Sequence, residues 1–194
     1  MSRSPSKAYF MEFSLRFPLR DLPDLASRYH NVGEAEVLEV GRRIADGEYR
    51  REHLVKIFDW KTRGRGRSRI ALNSDAEITD ALQLAVSAKT ELCALSVLTG
   101  LSGVEIPVAS TILTVVYPKQ YTILDFRALY SLSIDETVYS PRFYLAYLDV
   151  CRQVARQAAD AVGADVSLRK LDHALWQYSK ENQKPGKEAA QEIA

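Results

Sequence analysis

One tight turn and one aspartate carry the clearest chemical signal in this sequence. The turn, Leu101-Ser102-Gly103-Val104-Glu105-Ile106-Pro107, lies between two apolar helix-like segments, and Asp125 follows it at short distance. Gly103 can adopt the positive φ that ends a helix, and Pro107 suits the first position of the next one. Backbone N–H groups in such a turn bind a phosphate without a charged side chain. The stretch indicates a phosphate-binding hairpin with a single acid beside it, and an ordinary helix stop and start is the alternative.

A run of cations provides a second candidate contact with nucleic acid. The segment Trp60-Lys61-Thr62-Arg63-Gly64-Arg65-Gly66-Arg67-Ser68-Arg69 contains five cations, two glycines and no acid. The glycines predict a mobile backbone, and the planar guanidinium group of arginine matches phosphate oxygens. Trp60 beside the run supplies an aromatic surface on which a base can stack. A solvated surface loop without a binding role is the alternative.

The stretch from Leu101 to Ala109 resembles the helix-hairpin-helix turn of the helix-hairpin-helix DNA glycosylase superfamily. In that turn the sequence leucine-proline-glycine-valine-glycine is followed by two residues and then by threonine-alanine. The family places a catalytic aspartate at the start of the next helix, and its lyase members place a lysine at the second position after the last glycine. When Glu105 is aligned with that glycine, Pro107 occupies the lysine position and Asp125 lies 18 positions further on, which is the spacing of the family.

The resemblance implies a DNA glycosylase, an enzyme that turns one base out of the double helix and cleaves its bond to the sugar. Asp125 would stabilise the positive charge on the sugar and activate water. Because Pro107 has no amine for a Schiff base, the resemblance implies a monofunctional glycosylase that leaves an abasic site. Lys119, the only amine near Asp125 in sequence, leaves lyase activity open. The DNA contacts are assigned to Ser102, Gly103, Val104, Ile106, Lys61, Arg63, Arg65, Arg67, Lys119 and Arg127.

Three departures separate the sequence from the family pattern. Ser102 replaces the usual proline, and Glu105 replaces a glycine that lies near the DNA backbone. A carboxylate at Glu105 is expected to repel phosphate unless it points away from the DNA or caps the helix. The sequence Asp125-Phe126-Arg127-Ala128 replaces aspartate-threonine-histidine-valine. Asp125 also has a structural interpretation as the N-cap of the helix that begins at Phe126, and the two roles are compatible.

A base turned out of the double helix needs a pocket with aromatic or apolar walls. The second half of the chain is rich in aromatic residues, and most of them are expected in the core, including Tyr144 and Tyr147 at helical spacing. Asp172 is interpreted as an exposed helical aspartate, with a second acid near the site as the alternative. His173 is interpreted as a surface or structural residue. The base pocket is assigned to Trp60, Tyr121 and Trp176.

The apolar spacing predicts an all-α protein, a two-lobed bundle of about eight helices that contains the hairpin. A short extended segment, Phe13–Phe17, is expected to lie across the helices, since Pro18 and Pro23 stop it from growing. Residues 1–180 are expected to form one domain, with a loose leader over residues 1–10. The tail over residues 181–194 is expected to be disordered. The helices are predicted near residues 34–46, 49–58, 74–87, 90–98, 107–116, 126–130, 141–161 and 167–178.

Composition limits the other possibilities. The 194 residues are 46% hydrophobic and 26% charged, which suits a compact soluble protein. The formal net charge of +1 gives no argument for nucleic acid or membrane at the level of the whole molecule. No apolar run is long enough to cross a bilayer and no signal-peptide core is present, so a cytosolic location is expected. Cys93 and Cys151 form no CxxC motif, so neither a metal site nor an iron–sulfur cluster is expected.

We therefore expect a monomeric enzyme that acts on double-stranded DNA without a cofactor. It would excise a damaged or modified base, either in DNA repair or in defence against phage DNA that carries modified cytosine. A non-catalytic helix-hairpin-helix DNA-binding module, in which Asp125 only caps its helix, is the alternative from another class. An unrelated helical interaction protein would require the spacing between the hairpin and Asp125 to be accidental.

Overall fold

The computed structural model describes residues 11–136 and 138–184, and this part of the chain is all-helical, as predicted, with no strand. A short 3₁₀ turn, Leu19–Asp21, precedes the first α-helix. The α-helices are α1 (Leu22–Arg28), α2 (Glu34–Ala45), α3 (Arg51–Thr62), α4 (Arg67–Ile70), α5 (Asp75–Ser87), α6 (Glu91–Leu98), α7 (Ile106–Val116), α8 (Phe126–Ser131), α9 (Pro141–Val162) and α10 (Leu168–Asn182).

Two helices, α1 and α4, form where the sequence predicts none. Pro23, expected to stop local structure, occupies the first turn of α1, where a missing N–H group costs nothing. Helix α1 buries Leu22 and Leu25 and packs against α10. Helix α4 lies within the cation run and buries Ile70. The structure therefore places helix at both ends of the cation run, where the sequence predicts a mobile backbone.

The third helix continues beyond its predicted end at Phe58 and reaches Thr62. The first residues of the cation run, Trp60 and Lys61, therefore lie on its last turn. Ile57 and Phe58 are buried, and Lys61 follows them by four and three positions on the same face of the helix. The helix thus turns the side chain of Lys61 toward the interior.

Helix α7 lies at the centre of the core, since ten of its eleven residues are buried. It packs against α2, α3 and α6. Its buried hydroxyl groups donate to carbonyl groups about one turn earlier: Ser110 and Thr111 to Pro107, and Thr114 to Ser110. These hydroxyl groups keep hydrogen-bond partners in an apolar interior, so their burial costs little.

The segment that leads into Asp125 is fixed by side chains of α7 and α9. Within it, the N–H group of Leu124 donates to the hydroxyl of Ser110 at 3.1 Å. The hydroxyl groups of Tyr144 and Tyr147 donate to two carbonyl groups of the segment at 2.9 and 2.8 Å. Both tyrosines are fully buried, which confirms their predicted place in the core. These bonds hold Asp125 at a defined position at the start of α8.

The N-terminal extended segment lies across the end of α8, where the N–H groups of Ser14 and Arg16 each donate to a carbonyl at 2.9 Å. At the other end of the chain, α10 continues to Asn182, so residues 181 and 182 of the predicted disordered tail are helical. The predicted leader, residues 1–10, and the tail from residue 185 lie outside the described residues.

Candidate active site

Asp125 lines a cavity of about 710 Å³, which we call the Asp125 cavity. Its walls come from the loop after α1, the last turn of α3, the start of α8 and one face of α10. This volume is within the range of small-molecule sites in proteins. The structure brings these sequence-predicted site residues together in its lining: Trp60, Lys61, Arg63, Asp125, Arg127 and Trp176.

Asp125 caps a helix and also presents an oxygen to the cavity. Its Oδ1 atom accepts a hydrogen bond from the N–H group of Ala128 at 2.9 Å, which caps α8. Its Oδ2 atom accepts one from the ammonium of Lys61 at 3.1 Å. The side chains of Asp125 and Lys61 are only 16% and 15% exposed. The predicted cap is confirmed, and the same carboxylate lies where water screens its charge poorly.

Lys61 is predicted to contact phosphate, but its ammonium lies inside the cavity and pairs with Asp125. The cause is the length of α3, which carries Lys61 onto the buried face of its last turn. Removing one partner of a little-exposed ion pair leaves the other charge uncompensated, so each group holds the other in place. The pair brings an amine next to the acid, a proximity that the spacing along the chain does not reveal.

Three aromatic side chains form walls of the cavity. Trp60 is held by a hydrogen bond from its Nε1–H to the carbonyl of Val32 at 3.1 Å. Trp176 meets the ring of Tyr29 edge to face, with 5.3 Å between the ring centroids. Tyr29 follows the last residue of α1, and sequence reasoning misses it because no helix is predicted there. Flat aromatic walls suit a flat aromatic ligand.

Cations lie over the same rings. The guanidinium of Arg127 and the ammonium of Lys180 lie 5.2 and 5.1 Å from the ring centroid of Trp176. The guanidinium of Arg169 lies 5.9 Å from the ring centroid of Trp60. Such contacts attract a cation to the face of the ring and orient both groups. The cavity lining contains five lysine and arginine side chains against three aspartates, a balance that favours an anionic ligand.

Tyr121 and Lys119 do not line the cavity. Tyr121, which the sequence assigns to the base pocket, is only 6% exposed and packs in the core beside Tyr117, with 6.5 Å between the ring centroids. Burial raises the pKa of the Tyr121 hydroxyl, and Glu91 adds to that shift. The residue therefore belongs to the packing behind the site. Lys119 is exposed in the turn after α7.

The hairpin is braced by Asn73, which follows the cation run. The side-chain amide of Asn73 donates to the carbonyl of Ser102 at 3.0 Å, and its Oδ1 accepts from the N–H group of Ser102 at 2.7 Å. The N–H group of Ser102 is therefore used inside the protein. Gly103 has a φ of +82°, and an added Cβ would lie 3.0 Å from a side-chain atom of α4, so glycine suits both backbone and packing. Val104 and Ile106 are buried, so their side chains are not open to a ligand, and the N–H group of Val104 already donates to the carbonyl of Leu101 at 3.1 Å.

The side chain of Glu105 does not cap α7, and it forms an ion pair with Arg69. Its Oε1 atom accepts a hydrogen bond from Nη1 of Arg69 at 2.9 Å, and the N-cap position shows no side-chain capping bond. Both side chains are exposed, so the pair contributes little to stability. The guanidinium of Arg69 nevertheless offsets the negative charge that Glu105 brings to the hairpin.

Arginines of the cation run bind groups that are close to them along the chain. Arg67 pairs with Asp59, and the Nε–H group of Arg65 donates to the carbonyl of Thr62 at 3.1 Å. Arg63 lines the Asp125 cavity, and its left-handed backbone, with a φ of 54°, ends α3. Because the end of the run contacts the hairpin at Glu105, the run connects the hairpin with the cavity.

A group of charged side chains lies beside the aromatic walls, and we call Glu34, Arg169, Asp172 and His173 the Asp172 network. Asp172, expected to be exposed, is only 5% exposed and lines the cavity. It pairs with Arg169 on the same helix. Arg169 also donates from Nε to Glu34 at 2.7 Å, and Nε2 of His173 lies 2.9 Å from the same Glu34 oxygen. Asp172 is turned inward because it follows the buried Leu168 by about one helical turn.

Burial sets the protonation of the two acids in the Asp172 network. Burial raises the pKa of Asp172 to about 6, although the guanidinium of Arg169 opposes the shift. Burial alone would raise the pKa of Glu34 too, but hydrogen bonds from His173 and Arg169 outweigh it and lower that pKa. Of the two carboxyl groups, Asp172 therefore holds a proton more readily.

The raised pKa of Asp172 predicts a pH-dependent stability. Between the ordinary pKa of an aspartate and about 6, the folded protein binds more protons than the unfolded chain, so the free energy of unfolding falls as the pH rises. Between pH 5 and 7 this contribution is on the order of 1 kcal/mol. Urea unfolding at several pH values measures the slope, and Asp172→Asn is expected to remove it. An equal slope in both proteins would contradict the raised pKa.

Within residues 11–136 and 138–184, no helix is both long and apolar enough to cross a bilayer. The same residues contain no group of three or more His, Cys, Asp or Glu side chains that could hold a metal ion.

Comparison of the chain with protein-family models, curated proteins and solved structures gave no match. Function is therefore inferred from the Asp125 cavity and from the resemblance of the hairpin.

Proposed function

We propose that the protein is a monofunctional DNA glycosylase that cleaves the bond between a damaged or modified base and its sugar. The observation that supports this function best is the position of Asp125, a little-exposed carboxylate that opens into a cavity with aromatic walls. An extruded base is flat and aromatic, and walls formed by Trp60 and Trp176 suit it. The distance along the chain between Asp125 and the hairpin matches the family that the sequence resembles.

The proposed reaction uses a carboxylate and a water molecule and needs no cofactor. The base leaves with the electron pair of the C1′–N bond, and the sugar becomes an oxocarbenium ion. Asp125 stabilises this cation, and the interaction is stronger in a cavity with little water than in bulk solvent. Water then adds to C1′ and gives its proton to Asp125, which passes it to solvent, while the departed base takes up a proton from solvent. The products are the free base and DNA with an abasic site.

The excess of cations over acids in the cavity walls, and the cation run beside the hairpin, support double-stranded DNA as the partner. Phosphates beside the extruded nucleotide would contact Arg63, Arg127 and Lys180, all of which line the cavity. The hairpin would hold a phosphate further along the strand through backbone N–H groups. Contacts of this kind give an affinity that falls as the salt concentration rises. We propose that the protein acts as a monomer in the cytosol, either in repair or in defence against modified phage DNA.

A panel of duplexes tests the proposed function. Each duplex carries one damaged, mispaired or modified base, including hydroxymethylated and glucosylated cytosine, and alkali converts each abasic site into a strand break. The wild-type protein is expected to excise the base from at least one duplex, and that duplex separates the repair role from the defence role. Binding to every duplex without excision from any would favour the non-catalytic DNA-binding module.

A second candidate activity is favoured by one observation, the Lys61 ammonium at 3.1 Å from Asp125. After losing a proton, a lysine amine can attack C1′, form a Schiff base with the opened sugar and break the strand by elimination. In the structure this amine forms an ion pair with Asp125, which favours its protonated, non-nucleophilic form. The monofunctional reaction is therefore the preferred proposal.

Trapping with sodium borohydride decides between the two activities. Borohydride reduces a Schiff base to a stable amine, which would link the protein covalently to the DNA. We expect the wild-type protein to release base and leave an abasic site without a trapped adduct. A trapped adduct that is lost in Lys61→Arg would assign the reaction to the glycosylase with lyase activity.

A further inference from the structure

We infer that Asp172 is the general acid of this site, a carboxyl group that holds a proton and donates it to the departing base. The inference rests on the proposed function, because it assigns a second catalytic residue to the same reaction. Asp172 reaches the Asp125 cavity from α10, whereas Asp125 reaches it from the start of α8. The two acids therefore approach one bound nucleotide from different elements.

The two oxygens of Asp172 have different surroundings. Oδ2 accepts a hydrogen bond from Arg169, and among the described residues no group donates to Oδ1. Asp172 lines the cavity, and Oδ1 is not one of the fully buried side-chain atoms that lack a partner, so Oδ1 is the oxygen left for a ligand. A protonated Oδ1 can donate to a ligand while Arg169 keeps the carboxyl group in place.

Among the little-exposed acids and cations that pair with one another at the cavity, the charges favour one extra proton. Three little-exposed acids, Glu34, Asp125 and Asp172, interact with two cations. Lys61 is paired with Asp125, and Arg169 is shared between Glu34 and Asp172. One negative charge is therefore left over when all three acids are ionised and His173, which contacts Glu34, is neutral. A proton removes it, and burial favours this neutral state because little water is available to stabilise the charge.

Asp172 is the group in the cluster that can pass this proton to a base. His173 contacts Glu34, stacks on Tyr29 and does not line the Asp125 cavity. A proton on His173 therefore has no direct path to a base in that cavity. The remaining neighbours of Asp172 are neutral, because burial raises the pKa values of Tyr29, Tyr147 and Cys151.

The proposed step conserves atoms and charge. The C1′–N bond breaks with its electron pair on the base, the Asp172 proton moves to the base, and the base leaves as a neutral molecule. Asp172 becomes a carboxylate while the Asp125 carboxylate stabilises the sugar cation. Water adds to C1′ and gives its proton to Asp125, and exchange with solvent then restores both groups. Two acids in opposite protonation states are the arrangement that glycoside cleavage uses.

Single-turnover excision rates between pH 5 and 8 test the inference on the duplex that the panel selects. The wild-type rate is expected to fall as the pH rises past the titration of Asp172, at about 6. Asp172→Asn is expected to lower the rate by about 10²- to 10⁴-fold and to remove this pH dependence. Asp172→Glu keeps a carboxyl group and is expected to restore part of the rate together with the pH dependence.

Asp149→Asn is the matched control, because Asp149 is an exposed aspartate that also pairs with an arginine three residues away on its own helix. The Asp149→Asn variant is expected to excise at the wild-type rate.

Carbon-13 NMR of the aspartate carboxyl groups supplies a readout that needs neither substrate nor a folded variant. The Asp172 signal, assigned through its own backbone, is expected to titrate well above the ordinary aspartate range.

The possible outcomes separate this inference from the proposed function. Excision by Asp172→Asn with the wild-type rate and pH profile would overturn the inference and leave the proposed function intact. Titration of Asp172 in the ordinary aspartate range would do the same. Absence of excision by the wild-type protein from every duplex would overturn the proposed function, and with it the catalytic role of Asp172.

Discussion

Asp125→Asn is expected to lower the rate of base excision by about 10³-fold, with duplex binding nearly unchanged. The amide oxygen of asparagine can still accept the hydrogen bond from the N–H group of Ala128, and asparagine is a favoured N-cap, so α8 keeps its cap. The substitution removes the negative charge that would stabilise the sugar cation. It also leaves Lys61 without its anionic partner, which adds positive charge to the cavity.

Two further variants separate the charge of Asp125 from its cap. Asp125→Ser keeps a capping oxygen without a carboxylate and is expected to be as inactive as Asp125→Asn. Asp149→Asn removes an exposed aspartate of α9 that does not line the Asp125 cavity, and this variant is expected to retain full excision. Rates are measured under single-turnover conditions, and binding is measured on the same duplex. Wild-type excision by Asp125→Asn would remove Asp125 from the reaction.

Gly41→Ala is expected to lower the free energy of unfolding by about 3 kcal/mol or more. Helices α2 and α7 pack together, and a Cβ atom on Gly41 would lie 2.0 Å from the carbonyl oxygen of Val115 and 2.3 Å from its carbonyl carbon. Both atoms belong to the backbone of a buried helix, so neither can rotate away. The two helices would have to separate and open the core. The better helix propensity of alanine, about 1 kcal/mol, is too small to compensate.

Gly163→Ala is the control for this prediction. An added Cβ at Gly163 would meet no atom within 4 Å, and the only cost is its left-handed backbone, with a φ of +66°. We expect a loss of about 1 kcal/mol there. Urea unfolding followed by circular dichroism compares the two variants with the wild-type protein. Equal stability of the Gly41 and Gly163 variants would contradict the close approach of α2 and α7.

The helices that the sequence predicts well have strong local signals. Ser74 and Glu77 form a capping box at the start of α5, Ser167 caps α10, and Pro107 lies in the first turn of α7. These features join residues that are close along the chain, so residue type and spacing reveal them. Helices α1 and α4 are short and have no side-chain N-cap bond. Packing stabilises them, and the one local signal, Pro23 in the first turn of α1, is equally typical of a stop.

The residues of the candidate site likewise fall into those that the sequence reveals and those that it does not. The hairpin and Asp125 are related by spacing along the chain, and sequence reasoning can single them out. Tyr29, Arg169 and the inward orientation of Asp172 depend on α1 and α10 lying side by side, a contact between distant parts of the chain. Lys61 had a usable signal, since it continues the apolar face of Ile57. The charge of the neighbouring arginines hides that signal.

The most direct test of the central claim, that Asp125 stabilises a sugar cation in this cavity, is the affinity for two duplexes that differ by one charge. One carries a pyrrolidine in place of a nucleotide, with a positive nitrogen in the sugar ring, and the other carries a neutral tetrahydrofuran of the same size. Neither requires knowledge of the excised base. The wild-type protein is expected to bind the pyrrolidine duplex at least about 10²-fold more tightly, and Asp125→Asn is expected to lose this preference. Equal affinity of the wild-type protein for both duplexes would contradict the claim.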